Sequence, residues 1–360
     1  MKKSSRVFLG GLRFALMSVI VTAALSLTAC SLWYSILPYG LSHTESTLSI
    51  HSLGGLFTIN DNYLLETGRL DSRYGIIDVT DPEAPVISFT NVLDFGASDA
   101  AFLTSGEKTY GYLADANALR VVDFSSLPTS ATLLSTPVAS GVQRVDISGS
   151  YLYVALDTGV LVYDLSSPQA PRQVQSIKYL SDGSSQLVQG ACAGNGLYVV
   201  STSSTGSICL RPFTIDSTGT LTAGATTTTT GYFGGELAMK GSVVIAVMDS
   251  DDIVGVNFSN PAQPVWGKAV NPHASKYDGD GSFGLSRMTI VNNYLVDYCT
   301  GDLPMAIFEI SDAMNPTFIY PDLSQAVDDL PWGAQDALSV RAPYIYLAMY
   351  EQYLHIFKMP

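Results

Sequence analysis

The sequence predicts an all-β chain folded as seven four-stranded antiparallel blades around one axis, a seven-bladed β-propeller. Three observations carry this. First, a unit of aromatic-x-aliphatic, polar gap, aliphatic-x-aliphatic-Asp, Ser/Thr and Pro recurs along nearly the whole chain. Its fullest copy runs from Tyr151-Leu152-Tyr153-Val154-Ala155 through Val160-Leu161-Val162-Tyr163-Asp164 to Pro168 and Pro171. Second, the residues opening the first run (Tyr63, Tyr110, Tyr151, Gly196, Val243, Tyr294 and Tyr344) are spaced by 47, 41, 45, 47, 51 and 50 residues. Each interval is the length of one four-stranded unit. Third, 14% of residues are charged and 31 of 360 are Gly, a composition of short strands joined by tight turns.

Taken from the N-terminus, residues 1–29 read as a signal peptide. Lys2, Lys3, Arg6 and Arg13 form a basic start, and Phe14 to Leu27 is uncharged and apolar, shorter than the ~20 residues that span a bilayer comfortably. Leu27-Thr28-Ala29-Cys30 resembles a bacterial lipobox, which implies lipidation of Cys30 and anchoring to a membrane. Ser31 after the Cys implies, by analogy with Gram-negative sorting, the outer membrane of a bacterial cell envelope. Residues 30–45 are then a lipidated tether, short and apolar around Trp33 and Tyr34, and 46–360 form one propeller.

Each unit divides into four strands, a to d. In the third, strand a is expected over 142–148, b over 151–156, c over 160–165 and d over 172–177. Gly149-Ser150 and Asp157-Thr158-Gly159 supply the hairpin turns. The c–d turn returns as Asp78 to Pro85, Ser259 to Pro264 and Ser311 to Pro316, where Asp, Ser or Asn caps and Pro blocks strand continuation. These turns and their flanking strands resemble LVIVP-type repeats of bacterial surface β-propellers, most closely in units one, three, five and six. Unit four departs: Ser207 to Phe213 lacks the Asp-Ser-Pro turn, and Thr214 to Thr222 is similar to the blade hairpin of lactonase-like propellers. The last unit ends after strand c, and a strand at about 46–52 precedes the first. That strand is expected to pair with the C-terminal blade and complete it.

Strand a lines the channel and is expected to follow a Gly in each unit: Gly54, Gly96, Gly141, Gly190, Gly234, Gly284 and Gly333. Asp99, Arg144, Arg287 and Asp336 stand three residues after their Gly, with Glu236 near the same level. Alternating signs on neighbouring inner strands admit two readings: an inter-blade salt-bridge collar, or a channel-mouth site for a charged small molecule. Tyr232, Phe233, Phe283 and Trp332 form an aromatic rim on the d–a loops. The b–c and d–a loops of that face also carry most of the remaining acids, among them Asp115, Asp157 and Asp252.

Formal net charge is −14; without the four basic residues of 1–29 the count is 14 basic against 32 acidic, or −18. Such a surface disfavours nucleic acid and favours a basic or cationic ligand. No catalytic residue is identified: there is no His-x-x-x-His and no Gly-x-Ser-x-Gly, and His43, His51, His273 and His355 are scattered. Cys192, Cys209 and Cys299 read as small buried hydrophobes, since strands a and c of one unit stand too far apart for a bridge. No cofactor is expected. Calcium at Asp278-Gly279-Asp280 is the alternative, although the third Asp and distal Glu of a calcium loop are missing. The function expected is non-catalytic binding or scaffolding of a protein or carbohydrate ligand through the acidic loop face. The alternative is an envelope hydrolase or lactonase-like enzyme at the channel mouth.

Overall fold

A computed structural model describes residues 42–359 apart from 50–54, 68–72, 93–95, 116–117, 139, 180–186, 195, 203–207, 230–236, 248–251, 261, 271–283, 301–304, 321–336 and 349–352. Every regular element among the described residues is a strand, and the strands form seven separate antiparallel sheets. Six of these sheets run a-b-c-d in chain order, and blade 4 adds a fifth short strand. Blade 3 is the simplest: Val142–Ser148, Tyr151–Leu156, Gly159–Asp164 and Arg172–Lys178. Gly149, at φ +59°, makes its a–b turn in the left-handed region where Gly carries no penalty.

The seven a strands are Gly55–Asn60, Asp99–Ser105, Val142–Ser148, Leu187–Ala193, Ala238–Lys240, Gly284–Val291 and Ala337–Arg341. Each touches the next, and the seventh touches the first, so the inner strands form a closed cycle. The core follows the same cycle. Seven hydrophobic clusters each fill the gap between two neighbouring blades, including one that joins Leu56, Leu64 and Ile77 of blade 1 to Tyr346, Leu354 and Ile356 of blade 7. Both faces of every blade are therefore buried, which explains the near-continuous apolar b strands. On an ordinary half-buried sheet they would alternate.

Blade 7 takes its outer strand from the N-terminal side. Ser42–Ser49 pairs antiparallel with Tyr353–Lys358, from Ser42 opposite Lys358 to Ser49 opposite Tyr353. The strand begins four residues earlier than expected. Its first half, Ser42-His43-Thr44-Glu45, is polar and carries no apolar signal, and an irregularity between Glu45 and Ser49 breaks the simple alternation. On the inner side, the Thr58 hydroxyl of blade 1 donates to the Val340 carbonyl of blade 7 at 2.8 Å.

The Asp of the repeat ends strand c and has a local task. Asp78 Oδ1 accepts the N–H of Thr80, Asp123 that of Ser125 and Asp164 that of Ser166, each at 2.8 Å. Asn257 and Glu309 do the same for Ser259 and Ser311. These side chains make the c–d turn by satisfying a backbone donor that the sheet has released.

Blade 4 is the exception. Strand c, Ile208–Ile215, pairs with two short segments, Leu221–Ala223 at its end and Thr227–Thr229 at its start. Its turn is held by Asp216, whose Oδ1 accepts the N–H groups of Thr218 and Thr220. Gly219, at φ +75°, lies against the Tyr151 ring, where a Cβ would stand 2.3 Å from the ring carbons.

Candidate channel-mouth site

Strand a places residues i and i+2 on one side of the sheet. In blade 3 this puts Arg144, Asp146 and Ser148 on one face of the strand, the face turned to blade 4, where Asp146 and Ser148 find their partners. In blade 2 Asp99 stands level with Arg144. Register shifts occur between Val142 and Arg144, Val188 and Gly190, and Leu285 and Arg287, the same level in blades 3, 4 and 6. Bulges at one level of three inner strands re-aim the side chains there. Gly190 thus lies within strand a of blade 4 and does not precede it as the sequence suggested.

The geometry is a ladder between blades. Asp99 Oδ2 accepts the backbone N–H of Val145 in blade 3 at 2.8 Å, while Oδ1 accepts that of Ala100 at 2.9 Å. Two residues deeper the arrangement repeats one blade on. Asp146 Oδ2 accepts the N–H of Ala193 in blade 4 at 2.7 Å, and Oδ1 that of Ile147, also at 2.7 Å. The Ser148 hydroxyl then donates to the Gly194 carbonyl at 2.7 Å. Arg144 donates from Nη1 to the Gln143 carbonyl at 2.9 Å. Each carboxylate bridges its own strand and the next blade.

Burial pushes the Asp146 carboxyl up to about 6, with the nearby Asp99 charge adding to the rise and the two N–H donors opposing it. Cys192 lies on strand a of blade 4. Its thiol is pushed up by burial and by the Asp146 charge, so it is not activated as a nucleophile. Cys209 is also buried and free.

A second charged group lies between blades 3 and 4. The Arg211 guanidinium is buried, with its carbon 5.2 Å from the centre of the Tyr179 ring. Burial raises the Tyr179 phenol well above its ordinary value, with Asp157 adding to the rise and Arg211 opposing it. Asp157 also holds the start of blade 3: its N–H donates to the Gly141 carbonyl at 3.2 Å. Gly141 has φ +74°, and a Cβ there would stand 2.8 Å from Asp157 Oδ1. Gly141→Ala is therefore expected to cost about 1–2 kcal/mol in denaturant unfolding from the left-handed backbone alone. Adding Asp157→Ala should remove the contact with the carboxylate but not that backbone share.

Of the candidate residues, Asp99 and Arg144 stand at one level on adjacent blades, and Arg287 occupies the equivalent register in blade 6. Glu236 and Asp336 lie outside the described residues, as do Tyr232, Phe233, Phe283, Trp332, Asp278, Asp280 and Cys30. The sequence reading missed Asp146, Tyr179 and Arg211. Asp146 was within reach, because the period of two that puts Arg144 on one face of strand a puts Asp146 on the same face. Among the described residues no group of three His, Cys, Asp or Glu side chains is arranged to hold a metal ion.

The LVIVD repeat family matches the chain at residues 106–136 and 140–178, which contain Leu119-Arg120-Val121-Val122-Asp123 and Val160-Leu161-Val162-Tyr163-Asp164. No curated protein matches the sequence. Solved structures that resemble it include the β-propeller domain of Swd1 from Myceliophteria thermophila, at TM-score 0.60 and 10% identity over 89% of this chain and all of that one. The Kuenenia stuttgartiensis hydrazine synthase gives 0.59 and 11%, over 87% of this chain and 97% of that one. A protein from Lactobacillus plantarum gives 0.57 and 12%, over 84% and 98%. At such identities the likeness is one of fold. The chain is thus a seven-bladed β-propeller whose blades 2 and 3 match the LVIVD repeat.

Proposed function

We propose that the chain is a lipid-anchored propeller of the bacterial cell envelope that binds or scaffolds a basic protein or a cationic carbohydrate through its acidic b–c and d–a loop face. One observation carries the reading: the channel carboxylates are engaged in holding the ring. Asp99 and Asp146 each direct both oxygens at backbone N–H groups, one of them across a blade boundary. Recognition then falls to the loops, whose acids include Asp157 and Asp252 and, outside the described residues, Asp71, Asp94, Asp302 and Glu351, whereas Asp115 is held by Arg120 at 2.9 Å. The net charge of −14 suits a basic partner. The basic start, the apolar run and Cys30 support anchoring to the outer membrane.

The test is recovery of partners from a native membrane extract by the full chain. Asp157→Lys with Asp252→Lys should reduce retention of a specific partner about tenfold, as loss of a complementary charged patch does. Asp312→Ala on the opposite face should leave retention unchanged. Equal retention by all three proteins would contradict the proposal. A hydrolytic reading would need substrate to reach Asp146, whose two oxygens already accept the N–H groups of Ile147 and Ala193. Ester or lactone hydrolysis by the pure protein, abolished by Asp146→Asn, would favour it.

A further inference from the structure

The large aliphatic side chains that stand exposed among the described residues share one place in the fold. Val86 and Ile87 are the first two residues of strand d in blade 1, Val86–Val92. Leu133 and Leu134 are second and third in strand d of blade 2, Thr132–Val138, and Val174 is third in strand d of blade 3. Val265 opens strand d of blade 5, apart from this arc. Scattered exposed aliphatics need no explanation, but five on three consecutive blades, at the same end of the outermost strand, form a band. The band lies at the c–d turn end of the rim, opposite the b–c loops that carry Asp115 and Asp157.

The N-terminal segment emerges at the same end. Ser42 pairs with Lys358, the last residue of its strand. Lys358 Nζ lies 3.3 Å from Glu83 Oε1, in the c–d turn of blade 1, three residues before Val86. The exit of residues 1–41 is therefore continuous with the apolar band. Ser31 to Leu41, between Cys30 and the first strand, reach at most about 40 Å when extended.

The rim is not free of charge: the blade 1 turn carries exposed Asp81 and Glu83, the latter paired with Lys358, and exposed Asp61 and Glu107 stand in the neighbouring a–b turns. The c–d turn of blade 2, Phe124 to Ala131, carries no charged residue, and Arg172, at the start of strand d in blade 3, is 74% exposed in its side chain. Asp78, Asp123 and Asp164 are turned onto backbone N–H groups.

From this placement we infer that the c–d rim of blades 1 to 3 is a lipid-facing surface. It rests on the bilayer that holds the N-terminal segment, with Val86, Ile87, Leu134 and Val174 at headgroup level and the acidic loop face turned away. The inference builds on the anchoring proposed above. Apolar side chains of this kind enter the headgroup boundary, and a short tether holds the surface at high local concentration there, so a modest band suffices.

The experiment uses the full chain in vesicles of phosphatidylethanolamine with a minor fraction of phosphatidylglycerol and brominated lipid. A fluorescent amino acid is placed at position 134, at 174 or, as control, at 157. Quenching is expected to be about fivefold stronger at 134 and 174 than at 157, given a burial depth of about 5–10 Å for interfacial apolar groups. In a chain with Leu134→Asp and Val174→Asp, quenching of a probe at 87 should fall about threefold, with the thermal midpoint held. Leu133 is left intact because it also lines a small apolar gap between blades 1 and 2. Radiolabelled fatty acid on Cys30 is read separately. Acylated, membrane-bound protein with equal quenching at all positions, or stronger quenching at 157, would overturn the inference and leave the anchor standing. Rim quenching without acylation would sink the lipid anchor and keep the surface. A chain that does not float with the vesicles would overturn both.

Discussion

Deleting residues 42–52 is expected to lower the thermal midpoint by roughly 10 °C or more, the shift that follows from several kcal/mol in a chain of this size. Ser42–Ser49 is the outer strand of blade 7, and its removal exposes one whole edge of Tyr353–Lys358. That strand carries Leu354, Ile356 and Phe357, each buried in the clusters that join blade 7 to blades 6 and 1. Loosening it therefore weakens two of the seven inter-blade contacts together. The bare edge is also a template for pairing with another copy, so the truncated chain should associate as it loses stability. Thermal melting with light scattering reads both effects. A truncated chain that melts like the parent and stays monomeric would contradict this account of blade 7.

The second large effect concerns Asp146. Asp146→Ala removes the acceptor for two N–H groups, Ile147 and Ala193, and should cost about 2–4 kcal/mol, because donors left unpaired in a packed interior are expensive. Its pH dependence has a definite sign. The folded-state carboxyl lies near 6, above the ordinary Asp value of 3.8, so folding favours the protonated form. Stability attributable to Asp146 is full below about pH 4 and is lost as pH rises to about 6, by roughly 2–3 kcal/mol at most. The turn acids act in the opposite sense. Hydrogen bonds hold Asp164, Asp216, Glu309 and Asp312 below their ordinary values. Their stability is present above the unfolded-state values and lost as pH falls further. Unfolding followed between pH 7 and 3 should show stability rising on acidification toward pH 4 and falling below it. Asp146→Asn should flatten the upper part and leave the acid limb. An unchanged slope between pH 4 and 6 in that variant would show that Asp146 is not the titrating group.

The blades were legible because their signals are local. In blade 3, strands a and b begin and end where the alternation and the Gly149-Ser150 turn place them. Tyr63, Tyr151, Gly196, Val243, Tyr294 and Tyr344 each open a b strand; in blade 2 the strand starts two residues earlier, at Lys108. The Asp of the repeat was recognised as a turn residue, and its oxygen is found on the N–H two residues ahead. The site was less legible. The acceptors Asp99 and Asp146 can be picked out by residue type, but their donors are backbone N–H groups of the neighbouring blade, which have no residue signature. Tyr179 and Arg211 meet only when blades 3 and 4 pack. Nothing in either segment marks the other. The polar start of the N-terminal strand was invisible for a related reason: an outermost strand is held by main-chain pairing, which any sequence can supply.

The most direct test of the closed ring is amide hydrogen exchange of the full chain across Tyr353–Lys358. With Ser42–Ser49 in place this strand is flanked on both sides, and its amides should be protected as strongly as those of Gly159–Asp164, the equivalent strand of blade 3. Exchange of every second amide at the rate of an exposed edge would contradict the pairing, and with it the ring on which the channel and both faces depend.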